Sequence, residues 1–164
     1  MLSIAEIAPI FARLDEHQGA EVATVDKALR NLTQRLPIAP SDRAGRAFVY
    51  DRPGVVALRL TYLAHQFGLH RVLLDPYARF LGIQAHEAVR RVDAGERSFS
   101  FHVVARPIGT DLWASWEEPA EGAELSRAQK SVWRARRDGI ELGRFTQHAA
   151  LVHQVLEALP RDQA

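Results

Sequence analysis

Residues 24–69, TVDKALRNLTQRLPIAPSDRAGRAFVYDRPGVVALRLTYLAHQFGL, decide how this chain folds. Val25, Leu29 and Leu32 recur at helical spacing, so residues 24–35 are expected to form a helix that buries that face and turns Lys27, Arg30, Asn31 and Gln34 outward. Pro37 and Pro40 stop it. Residues 41–50 read as two short β arms around Ala44-Gly45. The basic loop Ser41-Asp42-Arg43-Ala44-Gly45-Arg46 leads into the β-type run Ala47-Phe48-Val49-Tyr50, with Gly45 supplying a positive φ at the turn. From residue 51 to about 67 the pattern is again helical. Pro53 falls in the first turn, where its missing N–H costs nothing, and Val55, Val56, Leu58, Leu60, Tyr62 and Leu63 make this the most buried helix. Gly68-Leu69 closes it.

Outward from that stretch, Ser3 and Glu6 form a capping box ahead of a helix over 3–17, whose Ile4, Ile7, Phe11 and Leu14 share one face. A further helix over 71–91 carries Leu73, Leu74, Phe80, Leu81, Ile83, Ala88 and Val89, and Pro76 and Gly82 predict that it is kinked or split. Beyond Asp93-Ala94-Gly95 the period changes to two. Phe99, Phe101 and Val103 alternate with Ser98, Ser100 and His102, a strand with one buried face, and 112–116 is its returning strand. Asp138-Gly139 signals a hairpin, with a helix over 126–136 the competing reading. A last helix is expected over 146–159, with Ala149, Val152, Leu156 and Leu159 on one face. Helix, basic hairpin, β-run and buried helix in that order are the layout of a winged helix-turn-helix. The fold class is therefore α+β. A DNA-binding domain over 1–92 is followed by a small mixed α/β segment over 93–164 for oligomerisation or sensing.

The 164 residues are enough for a buried core, and apolar content of 47% with 25% charged residues is that of a globular chain. No apolar run approaches the roughly 18 residues of a membrane span, and the opening residues lack the features of a secretory signal. A cytoplasmic location without membrane association is the expectation. The absence of cysteine excludes disulfides and thiolate metal sites. Net charge is only +1, but its distribution is uneven. Residues 21–80 hold nine Lys/Arg against five Asp/Glu, whereas 92–164 hold nine against eleven. The positive field thus falls on the helix and hairpin.

Laid out this way, positions 4–81 resemble the DNA-binding domain of the mercury-resistance-regulator (MerR-type) family. Ile4-Ala5-Glu6-Ile7-Ala8 sits where that family opens its first helix, and Leu29-Arg30-Asn31-Leu32-Thr33-Gln34-Arg35-Leu36 resembles its recognition-helix core. Arg46-Ala47-Phe48-Val49-Tyr50-Asp51 is similar to its wing exit, and the run from Val55 to Leu69 to its next helix and turn. The resemblance implies helix contacts to DNA at Lys27 and Arg30, with Asn31 where an aromatic phosphate contact is common, and wing contacts at Arg43 and Arg46. The rest of the polar helix face adds Thr24, Gln34 and Arg35 to the candidate DNA-binding residues. Arginine can pair bidentately with guanine or hold phosphate, and Asn or Gln can read adenine. Three departures accompany the match: a long link over 14–23, no long dimerising helix after the domain, and no metal-sensing cysteines.

The implied function is a transcriptional regulator that binds double-stranded DNA as a homodimer. Its effector, a small molecule or a protein, is unspecified. The alternative is a protein-interaction module built from the winged helix and the Trp-bearing C-terminal half. The strands of that half and the last helix, through Leu151, Val152, Val155 and Leu156, are the expected pairing elements. No metal or cofactor is expected, since His65/His70 and His148/His153 are each five apart without a carboxylate at ligand spacing, and His86-Glu87 stands alone. No nucleophile elbow, phosphate loop or dinucleotide fingerprint is present, so an enzyme is not expected. Trp113 and Trp116, three apart, cannot both face inward on a regular strand, which predicts that one is exposed.

Overall fold

The computed structural model describes residues 1–17, 19, 21–107, 109–116 and 142–160. Its elements in chain order are β1 (Leu2–Ser3), α1 (Ile4–Leu14), α2 (Glu21–Arg35), β2 (Asp42–Ala44), β3 (Ala47–Tyr50), α3 (Arg52–Gln66), α4 (Arg71–Asp93), β4 (Ser100–Ala105), β5 (Thr110–Ser115), β6 (Gly143–His148) and α5 (Ala149–Ala158). The chain is α+β, with helices and two small antiparallel sheets, and divides into two compact units. One comprises Met1–Arg97 together with Ala149–Ala164, the other Ser98–His148. The C-terminal helix, placed by the sequence reading in the 93–164 segment, groups with the first unit because it packs on α1, α3 and α4.

In the first unit, β1-β3-β2 form the sheet. Leu2 pairs with Tyr50 and Ser3 with Val49, so the residues just before α1 add a strand to the hairpin. A two-residue strand carries no readable period, which is why sequence reasoning began the first helix at Ser3 and missed it. Glu6 accepts hydrogen bonds from both the Ser3 N–H (2.8 Å) and the Ser3 hydroxyl (2.7 Å), which holds the Glu6 carboxyl below its ordinary range. The α1–α2 link is shorter than the sequence suggested, because α2 begins at Glu21. Its buried residues are Val25, Leu29 and Leu32, as the spacing requires.

Helix α3 is the centre of this unit, with nine buried residues. Asp51 caps it, accepting from Gly54 N–H at 2.9 Å. A Cβ on Gly54 would stand 3.0 Å from Asp51 Oδ1 and 3.3 Å from Tyr50 Cβ, so a larger residue here would make the capping carboxylate and Tyr50 give way by a few tenths of an ångström. Arg59 projects from α3 at only 4% exposure and makes a two-pronged ion pair with Asp15, at 2.5 and 2.7 Å, at the end of α1. Arg52, at the start of α3, reaches Asp93 at the end of α4 (2.8 and 3.1 Å). Helix α4 is continuous through Pro76 and Gly82 and is not split. Buried Leu74, Tyr77, Ala78, Leu81, Ala85, Ala88 and Val89 hold its inner face, and that packing outweighs the one hydrogen bond proline removes. On its outer side Arg90 and Arg91 hold the Glu87 carboxyl down to about 2.

Residues 146–148, expected in the last helix, belong to β6, and α5 starts at Ala149. Pairing of Thr146 with His102 and of His148 with Ser100 captures them for the sheet. Helix α5 packs on α1, α3 and α4, with Val152 and Val155 fully buried. These two side chains are therefore not available for pairing with a second copy, contrary to the sequence expectation. Val152→Ala is expected to lower stability by about 1–3 kcal/mol. Because the loss is internal to one chain, the shift in thermal midpoint should be the same at low and high protein concentration.

In the second unit, β4 lies between β5 and β6. Phe101, Val103 and Val104 are buried, but so are Ser100 and His102, so both faces of β4 are covered rather than one. Phe99, Phe101 and Trp116 pack together at ring separations of 5.5–5.8 Å. Trp113 stacks on His102 at 4.9 Å, with the Arg144 guanidinium 5.5 Å from its ring. The two tryptophans thus resolve their three-residue spacing by each taking a cluster of its own. Both are half-buried, and neither is the exposed one the spacing predicted. The Asp138-Gly139 hairpin, the competing helix over 126–136 and Trp133 lie outside the described residues. No helix among the described residues is long and apolar enough to cross a membrane.

Candidate nucleic-acid interface

All eight sequence-predicted contact residues are exposed: Thr24, Lys27, Arg30, Asn31, Gln34 and Arg35 on α2, Arg43 on β2, and Arg46 in the turn. Their grouping follows from helix geometry. At 100° per residue, Lys27 and Gln34 lie opposite the buried Val25–Leu29–Leu32 stripe, Arg30 lies to one side, and Asn31 and Arg35 lie to the other.

On the Arg30 side, an open groove of about 410 Å³ runs between α2 and the hairpin. Arg30, Thr33 and Gln34 line one wall, Arg46, Ala47 and Phe48 the other, with Ile38, Pro40 and Tyr50 also contributing. Tyr50 ties the walls together. It is buried, and its hydroxyl bonds to Thr33 of α2, although burial still pushes the phenol above its usual range. Ser41 locks the base of the hairpin, donating its N–H to Val49 O at 2.9 Å and accepting from Asp51 N–H at 3.0 Å.

The hairpin closes at Ala44↔Ala47, leaving Gly45-Arg46 as a two-residue loop with Gly45 at φ +62°. Glycine at the first central position suits the tight turns that match strand twist. The turn lies one residue later than the Ala44-Gly45 reading and puts Arg46 at its tip. Arg43 and Phe48 face each other across the strands, with the guanidinium 4.5 Å from the ring centroid. Phe48 remains 46% exposed. An exposed phenylalanine carrying an arginine on its face is a rigid cationic platform, and the sequence reading passed over Phe48 as an ordinary strand residue.

On the opposite flank, Asn31 and Arg35 line a second groove, of about 540 Å³, together with His65, His70 and Arg71. His65 and His70, set aside from sequence as metal ligands, thus share a groove with Arg35 of α2 and Arg71 at the start of α4. His70 also caps α4 through Val72 N–H. Thr24, Lys27 and Arg43 line neither groove.

The cations differ in their pairing. Arg30 is bound by Asp26, one turn earlier on α2, through Nε at 2.7 Å and Nη2 at 3.1 Å. That hydrogen bond raises the affinity of Arg30 for its proton above the ordinary value. No ion pair among the described residues involves Lys27, Arg35, Arg43 or Arg46. The surface formed by α2 and the hairpin therefore presents four cationic side chains outside any ion pair, alongside the carboxylates of Asp26 and Asp42 and with hydrogen-bonding side chains between. Such a surface suits a polyanion with readable edges. Among the described residues no three His, Asp or Glu side chains gather to hold a metal ion. No family model, curated protein or solved structure matches this chain.

Proposed function

We propose that this chain is a sequence-specific double-stranded DNA-binding protein acting as a transcriptional regulator. In this reading α2 is the recognition helix in the major groove, the β2–β3 hairpin is a wing on the backbone, and the Met1–Arg97 region is a winged helix-turn-helix of MerR-like layout. The observation that carries the reading is the shared groove. Arg30 and Gln34 of the helix and Arg46 and Phe48 of the hairpin lie around one cleft, so both elements can engage one duplex together. Lys27, Arg35, Arg43 and Arg46 supply phosphate attraction, and Asn31 and Gln34 supply donor–acceptor pairs suited to adenine. A homodimer is part of the proposal, because two such helices are needed to span half-sites about one helical turn apart.

Selection from a randomised duplex pool with the purified full-length chain tests the reading. A recovered motif, repeated in inverted orientation, supports it; a pool that stays random through all rounds overturns it. The protein-interaction alternative draws on a separate observation, the exposed Val72 and Ile83 on α4. It would be favoured if the selected pool stays random while the chain retains a protein partner at physiological salt.

A further inference from the structure

We infer that Asp26 is a specificity-determining residue of the proposed recognition helix. It holds Arg30 in the orientation that reads guanine and keeps it from serving as a phosphate contact. The inference rests on the DNA-binding reading above.

Of the guanidinium's five N–H donors, Asp26 occupies Nε–H and one hydrogen of Nη2. Both carboxylate oxygens are used, so the planar group is fixed by two bonds instead of swinging on a flexible stem. Left free are both Nη1 hydrogens and the second Nη2 hydrogen, of which one from each nitrogen forms a two-pronged edge that matches guanine O6 and N7. The Arg30 side chain is 53% exposed and faces the groove, so that edge is accessible.

Charge points the same way. The Asp26–Arg30 pair is neutral overall, and a phosphate brought to Arg30 would also meet the Asp26 carboxylate and be repelled by it. A base edge carries acceptors without a full charge and meets a much smaller penalty. The division of labour along α2 and the hairpin is then physical. Lys27, Arg35, Arg43 and Arg46, none of which enters an ion pair among the described residues, attract the backbone, while Arg30, held by its carboxylate, reads a base.

The test measures binding of the full-length chain to its selected duplex, to base-substituted versions and to an unrelated duplex. For the wild type, changing one guanine, or replacing it with 7-deazaguanine to remove N7, is expected to weaken binding about five- to 150-fold. Arg30→Ala should abolish that preference. Asp26→Asn, which removes the charge but keeps the shape, should reduce the preference to about two-fold or less and strengthen binding to the unrelated duplex. It should also make the logarithmic salt slope steeper by about one as Arg30 becomes a phosphate contact. Asp26→Glu, which keeps a carboxylate within reach of Arg30, should restore the preference. If Asp26→Asn strengthens all duplexes equally and leaves the guanine preference intact, the role of Asp26 is refuted. If Arg30→Ala weakens every duplex alike, the base-reading role is refuted, and DNA binding stands on the other cations. If the wild type binds no duplex at low salt, both this inference and the function it rests on fall.

Discussion

Arg59→Ala is expected to destabilise the Met1–Arg97 region by about 3–5 kcal/mol, the usual loss when one partner of a buried ion pair is removed. Asp15 would be left without the two hydrogen bonds that offset its partial burial. The rings of Phe11 and Tyr62, whose centroids lie 5.1 and 5.8 Å from the guanidinium, would lose the cation over their faces. Asp15→Ala should cost a similar amount for the converse reason. The double replacement Asp15→Leu/Arg59→Met should recover most of the loss, because two apolar groups leave no buried charge unpaired. Urea unfolding of the four proteins measures this directly. A single-mutant cost below about 1 kcal/mol, as for an exposed pair, would show that this link between α1 and α3 carries little of the fold.

The second large effect is expected at the hairpin. Arg43→Ala/Arg46→Ala should lower the logarithmic salt slope of DNA binding by about two, one for each phosphate no longer neutralised. A fourfold rise in salt would then cost the variant about twelve-fold less affinity than it costs the wild type. Folding should be intact, since both side chains are exposed and neither enters an ion pair among the described residues. Phe48→Ala should reproduce part of the change, because without the ring Arg43 loses the platform that orients it. An unchanged slope in the double variant would remove the hairpin from the interface.

Helical periodicity made much of the first unit legible. Val25, Leu29 and Leu32 identified the inner face of α2, and with it the outward set Lys27, Arg30, Asn31 and Gln34. The apolar run from Val55 identified α3 as the core helix. What escaped were features that depend on residues distant in sequence. Arg59 lies in the middle of an apolar run and reads as a break in it until Asp15, 44 residues earlier, is placed beside it. The Arg43–Phe48 stack needs the hairpin register, which is fixed only once the turn is known to be Gly45-Arg46. Asp26 and Arg30 do carry a local signal, opposite charges one helical turn apart, but that spacing is common on exposed helices and says nothing of a ligand by itself. His102 shows the same limit in the second unit. Alternation alone puts it on an outer face, yet Ser100 and Thr146 hold its two ring nitrogens at 2.8 and 3.0 Å and Trp113 covers its ring.

The central claim, that the helix and hairpin grip duplex DNA, is tested most directly by a salt titration of binding. The purified full-length chain is measured against its selected duplex and a scrambled duplex of equal length. With Lys27, Arg35, Arg43 and Arg46 as phosphate contacts, the affinity for the selected duplex should fall linearly with salt on logarithmic axes, with a slope of about −3.6 per docked copy. The scrambled duplex should bind more weakly at every salt concentration. Equal affinity for both duplexes, or binding insensitive to salt, would contradict the account.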